Sequence, residues 1–249
     1  MNNGCFIYED TFLSLLNLIH YLLKNAIKPD KIKNTSYSPN LFDEVVHLTI
    51  LEEKEIFNKV IQLIGSYAAR ALYYVFLSNE ENKELILYYL LLNGQKYKEK
   101  ILFHRHLRCV SETIRISNYV VHEVHKYKGF VRFQELENHI LYAEIEPVND
   151  VLEFISLHFK KRLKNDYWII KDVGRNRLSL YDKKNYYLVS SHEFSLETTL
   201  KSHEEQKVEE LWKAFYKTIG IQERKNERCR MNFMPKKYWK YMLEMEDEL

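Results

Sequence analysis

Glycine and proline are scarce, 6 and 4 in 249 residues. So few breakers exclude collagen-like repeats, linker-rich chains and many-turned all-β architectures, and leave helix as the majority state. Cysteine is scarce as well. Cys5, Cys109 and Cys229 are odd in number, far apart and include no CxxC pair, which excludes a disulfide framework and a local iron–sulfur or zinc cysteine cluster. They read as reduced thiols of a cytoplasmic protein. Neither sign of charge prevails: 37 Lys+Arg stand against 35 Asp+Glu, a formal net charge of +2, so any basic footprint has to be local. Long hydrophobic runs are missing too. The longest unbroken one, Leu85 to Leu92, has eight residues, where a bilayer span needs about 20. The apolar stretch from Phe12 to Leu23 is interrupted by Asn17 and His20 and leads to no small-residue cleavage site, so it is not read as a signal peptide. A soluble protein with no membrane partner is expected.

The phosphate-cradling loops GxxxxGK[ST] and GxGxxG are absent, and so is GxSxG. Ser190-Ser191-His192 is adjacency in sequence, which does not create triad geometry. His122-Glu123-Val124-His125 falls one residue short of HExxH, whose i,i+4 spacing lets two imidazoles converge on zinc. His104-Arg105-His106 is weaker, because i,i+2 residues diverge on a helix. No metal and no cofactor is assigned.

What is present is apolar and aromatic material, 46% and 14% of the residues, ample for a large core. Cys5 to Tyr8 reads as a strand, with Thr11 as cap of a helix carrying Phe12, Leu15, Leu16, Ile19, Leu22 and Leu23. Lys31 to Asn40 reads as a loop. Helical stripes follow over 52–76, with Gly65 as a close-packing point, over 82–92, stopped at Asn93-Gly94, and over 100–127. The period then changes. Segments 130–133, 140–145, 168–170, 178–181 and 186–189 are short and aromatic or β-branched, as in strands. A helix over 148–163 interrupts them, and Asp182-Lys183-Lys184-Asn185 suits a hairpin connection. Two amphipathic helices close the chain, the first with Val208, Leu211, Trp212, Phe215 and Ile219, the second beginning at Pro235. The expected fold is α+β: a helical amino-terminal half packed with a small, mainly antiparallel sheet and carboxy-terminal helices. It is expected as one domain over 1–249, a helical lobe to about 127 and a sheet lobe from about 128.

Two blocks are dense in interacting side chains. The first, Glu123 to Phe133, runs from a helix end through Gly129 toward a strand. The second, Glu223 to Tyr241, carries seven Lys/Arg against two Glu, more excess than the whole chain. Cations interleaved with Tyr and Trp suit a phosphate backbone with stackable bases.

At these blocks the sequence resembles a bacterial family of DNA metabolism proteins of unknown biochemical activity. The residues that carry the resemblance are Glu123, His125, Gly129, Phe130, Arg132 and Phe133, then Tyr142-Ala143 with Ile145-Glu146-Pro147, His158-Phe159, Arg162, Trp168-Ile169-Ile170 with Asp172 and Arg175, and Leu211-Trp212. The most specific part is Glu223-Arg224-x-Asn226 with Phe233-Met234-Pro235-Lys236-x-Tyr238-Trp239 and Glu244. Lys126 stands where that family often has Arg, and the glycines that usually precede its first helix are absent from Tyr8 to Leu13. The resemblance implies an encoded neighbour, a radical SAM protein of DNA repair or modification, and in fused relatives a uracil-DNA glycosylase-type domain whose chemistry is its own.

The expected function is therefore a DNA-binding accessory protein that works with a radical SAM or glycosylase-type partner. Its nucleic-acid contacts are expected at Lys126, Lys128, Arg132, Arg162, Arg175, Arg224, Asn226, Arg228, Arg230, Lys236, Lys237, Tyr238 and Trp239. Two alternatives stay open. One is a nucleic-acid-processing enzyme with Glu123, His125, Asp172 and Glu223 as acid/base residues. The other is a protein-interaction scaffold without nucleic-acid contact.

Overall fold

The structure, a computed structural model, describes residues 4–39, 45–46, 55–137, 139–191, 203–219, 221, 224 and 226–248. Its architecture is α+β. The chain divides into two compact units, Met1–His122 and Glu123–Leu249.

In the first unit β1 (Cys5–Tyr8) leads to α1 (Phe12–Lys24), and Thr11 caps that helix by accepting from the Ser14 amide at 3.1 Å. Leu15, Leu16, Leu18, Ile19 and Leu22 are buried, and the one polar intruder, Asn17, donates its side-chain amide to the Leu13 carbonyl at 2.9 Å. Helix α1 is the crossover that a parallel strand pair requires. It returns the chain to β2 (Lys31–Asn34), which pairs parallel to β1 in register Phe6 to Ile32. β3 (Val45–Val46) completes a small sheet of order β2-β1-β3. β2 corrects the loop expected at Lys31 to Asn40: it has one apolar residue, buried Ile32, and pairing with β1 rather than any local pattern makes it a strand.

Helices α2 (Ile56–Leu77) and α3 (Lys83–Tyr97) cover the core with α1. Among the described residues, α2 alone is long and apolar enough to cross a membrane, and it lies in this core through Val60, Ile64, Ala68, Leu72 and Val75. Two glycines exchange their expected roles. Gly65, expected at a helix contact, takes φ 79° and kinks α2. Gly94, expected to end its helix, lies inside α3, where an added Cβ would meet the Ile64 Cγ2 methyl at 2.5 Å. A 3-10 segment, Lys98–Phe103, then leads to α4 (Arg108–Phe130), and the division between the units falls within this helix.

The second unit is built on a five-stranded sheet of order β4-β5-β6-β7-β8. Its strands are β4 (Gln134–Glu135), β5 (Leu141–Ile145), β6 (Trp168–Asp172), β7 (Arg177–Tyr181) and β8 (Tyr186–Ser190). Only β5 and β6 pair in parallel, joined through α5 (Leu152–Arg162), and the other three ladders are antiparallel. The Asp182 carboxylate shapes the hairpin as expected, accepting from the amides of Lys184 and Asn185. On the sheet, buried Trp168 stacks on Tyr181 with centroids 5.0 Å apart, and Phe133 meets Phe159 at 4.9 Å.

The strand expected at 130–133 is corrected. α4 runs through Gly129 to Phe130, and the Val131 amide still donates to the Tyr127 carbonyl, so helical bonding outlasts the strand-like composition. The chain closes with α6 (His203–Ile219), α7 (Glu227–Phe233) and two 3-10 segments, Lys236–Tyr241 and Leu243–Glu248. The long final helix expected from Pro235 is absent. Pro235 has ψ 144°, an extended residue that precedes a 3-10 turn.

The Ile64 to Gly94 approach is testable. Gly94→Ala should lower stability by about 1 to 3 kcal/mol through overpacking, read by urea unfolding. The same change should cost less in an Ile64→Ala background, where the colliding methyl is gone.

Candidate functional site

The first block folds into a buried ionic network. Glu123, on α4, is almost completely buried, and its two oxygens accept from the Val148 amide (3.1 Å), the Asn149 amide (2.9 Å), the Asn149 side chain (2.7 Å) and Lys237 Nζ (3.1 Å). The carbonyls of that loop are taken from the other side. Arg175 donates to Pro147 at 2.8 Å and to Val148 at 2.6 Å, and pairs with Asp172 at 3.3 Å. Burial raises Asp172 above its ordinary value, an effect the Arg175 charge and hydrogen bonds only partly offset. This network also explains why α5 begins at Leu152 and not at the expected 148: Val148 and Asn149 are held by Glu123 instead of by a helix.

A second pair lies at Arg132, whose Nη2 reaches Glu244 Oε1 at 2.6 Å while its Nε faces both oxygens. Trp212 Nε1 adds a donor to Glu244 at 3.3 Å. Burial works to raise Glu244, but hydrogen bonding to Arg132 prevails and holds the carboxyl below its usual range. Glu146 is likewise held low, by hydrogen bonds from Lys240 first and then Tyr241. Between β5, α6 and the last 3-10 segments opens a cleft of about 820 Å³. Arg132 and Lys240 on its walls are both paired, and Glu144 accepts from Tyr142 at 2.6 Å. Arg162, also on the wall, has no carboxylate within ion-pair distance among the described residues.

The second block separates into anchored and exposed residues. Tyr238 and Trp239, expected to stack on bases, are 4% and 2% exposed. Tyr238 meets Tyr127 and Phe130 at 5.0 and 5.1 Å, and Trp239 donates to the Met234 carbonyl. They are packing anchors, as large buried aromatics commonly are. Arg230 lies over Trp239 at 4.7 Å and pairs with Glu227, and Lys236 lies over the same ring at 5.5 Å. Asn226 caps α7 by accepting from the Cys229 amide at 2.9 Å. Arg224 and Arg228 are exposed and make no ion pair among the described residues. Lys126 donates to the Phe233 carbonyl. Glu223 lies outside the described residues.

The expected catalytic set is therefore not assembled at one surface. Glu123 and Asp172 are buried in the network, while His125 is exposed on α4 without a hydrogen bond or ion pair among the described residues. No group of three or more His, Cys, Asp or Glu among the described residues is placed to hold a metal. Lys128 and Arg162 both flank His158, which is held low by desolvation first and these cations next. Phe233, named in the resemblance, is not among the expected nucleic-acid contacts. It is 73% exposed, and an aromatic one turn after Arg230 and before Met-Pro was its only signal.

Two outcomes follow for the network. Glu123→Ala strips the partners from buried amides and should cost about 3 to 5 kcal/mol, whereas Lys237→Ala, at a side chain nearly half exposed, should cost about 1 kcal/mol or less. Urea unfolding of both variants checks the order. For Asp172 the folded chain holds its proton more tightly than the unfolded chain. Its stability contribution is thus full below the ordinary 3.8 and is lost as pH rises through the raised folded value. Urea midpoints measured across that window should fall for the wild type relative to Asp172→Asn.

Comparison with curated proteins finds no match. A family model does match, over residues 80–244, about two-thirds of the chain, from just before α3 to the Glu244 that Arg132 holds. Both the buried network and the exposed α7 segment lie within it, and the chain belongs to the family described as a domain of unknown function, DUF4130.

Proposed function

We propose that this chain is a DNA-binding accessory protein of DNA repair or modification, which holds DNA while a radical SAM or glycosylase-type partner does the chemistry. The observation that carries the reading is Phe233. Its ring is largely exposed on α7, a helix with no buried residue, and the cations Arg228, Arg230 and Lys236 lie close to it in sequence. An exposed ring among cations suits stacking on a base while the charges meet phosphates. Arg224 and Arg228, exposed and without an ion pair among the described residues, are the phosphate contacts in this reading. An accessory role also agrees with the burial of Glu123 and Asp172, because a general acid or base needs to reach the proton it moves. Among the described residues no disulfide joins Cys5, Cys109 or Cys229, which suits a reducing cytoplasm.

Fluorescence anisotropy with labelled single-stranded and duplex DNA at two salt concentrations tests this. The wild type should bind with strong salt dependence. Arg224→Ala with Arg228→Ala should reduce the logarithmic salt slope by about 1.4 on single-stranded and about 1.8 on duplex DNA, and Phe233→Ala should weaken single-strand binding by about 1 to 3 kcal/mol. Absent or salt-independent binding would turn the search to a protein partner.

A further inference from the structure

A second charged surface lies in the same unit, where the end of α5, the turn into β6 and the β7–β8 hairpin meet. The contacts that join them are direct. Lys160 Nζ lies 3.4 Å from Asn185 Oδ1 and 6.0 Å from the centre of the Tyr186 ring. Tyr181 donates to the Lys164 carbonyl at 3.4 Å, and Lys183 Nζ sits 4.3 Å above the Tyr167 ring. The chain carries Lys160, Lys161 and Arg162 in the last turn of α5, Lys164 just beyond it, and Lys183 and Lys184 in the hairpin, and all but partly covered Lys160 are exposed. None of the six makes an ion pair among the described residues.

The nearby carboxylates do not neutralise them. Asp182 spends its oxygens on the Asn185 amide (2.6 Å), the Lys184 amide (2.8 Å) and the Tyr187 hydroxyl (3.3 Å). Glu135 pairs with His139 at 2.6 Å and Glu153 takes the Tyr186 hydroxyl, so the carboxylates Asp166, Asp182, Glu135 and Glu153 stand against six cations. Helix-dipole compensation accounts for cations in the last turn of α5, Lys160 to Arg162. It does not account for Lys164, Lys183 or Lys184. Lys183 moreover takes φ 72°, a left-handed conformation that Gly or Asn would adopt at less cost, and from there its ammonium reaches the Tyr167 ring.

Two rings complete the surface. Tyr167 and Tyr187 are 49% and 50% exposed. A polybasic face alone would serve any polyanion, but half-exposed tyrosine rings, one of them carrying Lys183 on a face, are of use to unpaired bases, since the bases of a duplex are stacked on one another. We propose that this end of the sheet is a second nucleic-acid contact that takes single-stranded DNA, its phosphates on the six cations and its bases on Tyr167 and Tyr187. It rests on the nucleic-acid reading of the α7 segment and extends the path of the strand to a separate surface.

The test uses the full chain, labelled oligothymidine and a duplex of equal length, with anionic phosphatidylserine vesicles as a third arm. Lys161→Gln with Lys184→Gln, on two different elements, should lower the logarithmic salt slope for oligothymidine by about 1.4. Tyr167→Leu should weaken oligothymidine about 5- to 150-fold, as for one stacked base, and leave duplex binding within about twofold. Unchanged melting temperatures establish that these surface variants fold. If the wild type binds DNA and Arg224→Ala with Arg228→Ala weakens it while the Lys and Tyr variants do not, this surface is refuted and the α7 reading survives. Equal losses on duplex and single strand, or binding to vesicles in place of oligothymidine, overturn the single-strand assignment. A wild type that binds no DNA removes both readings together.

Discussion

The second unit depends on how one half-buried loop satisfies its backbone. β5 and β6 are parallel, so the chain must leave the sheet after Ile145, turn, and cross over through α5. The turn, Glu146 to Asn149, alternates exposed Glu146 and Val148 with buried Pro147 and Asn149, and leaves amides and carbonyls that no ladder pairs, where an unpaired buried backbone group costs as much as a lost hydrogen bond. Opposite charges solve the two halves. A carboxylate, Glu123, takes the amides of Val148 and Asn149, and a guanidinium, Arg175, takes the carbonyls of Pro147 and Val148. Each is then compensated in turn, Glu123 by Lys237 and Arg175 by Asp172.

That arrangement ties three distant stretches of sequence into one unit, and the carboxy-terminal end is its least self-sufficient part. The 3-10 segments Lys236–Tyr241 and Leu243–Glu248 are short, with poorer hydrogen-bond geometry than an α-helix. Side chains hold them instead: Lys237 on Glu123, Tyr238 against Tyr127 and Phe130, Lys240 on Glu146 and Glu244 on Arg132. α7 is held by Lys126 on the Phe233 carbonyl and by Arg230 over Trp239, yet buries none of its residues. The basic block is thereby sorted by packing, with part of it spent on holding the chain end and part left in solvent.

Sequence could tell that both blocks matter but not which residues fall into which part. Strands β5 to β8 were legible because aromatic and β-branched residues alternate within them, and α1 because Thr11 caps a clean apolar stripe. β2 was not legible, since Lys31-Ile32-Lys33-Asn34 becomes a strand only by pairing with β1. Gly65 and Gly94 traded roles because a glycine's letter does not say whether it serves a positive φ or a close approach. Trp239 and Phe233 are equally aromatic on paper. Only the fold buries the first beneath Arg230 and leaves the second exposed.

The same sorting bears on catalysis. A carboxylate that works as general acid or base must offer an oxygen to a substrate, yet both oxygens of Glu123 are filled by donors of its own chain. Asp172, fully buried, is pushed toward its neutral form by desolvation, and its available donors come from Arg175 alone. Perturbed carboxylates of this kind arise in structural ion networks as readily as in active sites, and what separates the two is access. Among the described residues the groups with access include the cations and rings Arg224, Arg228, Phe233, Tyr167 and Tyr187, and the imidazole of His125. The cations and rings among them suit a polyanion, and His125 is the one described member of the expected catalytic set that stays open to solvent.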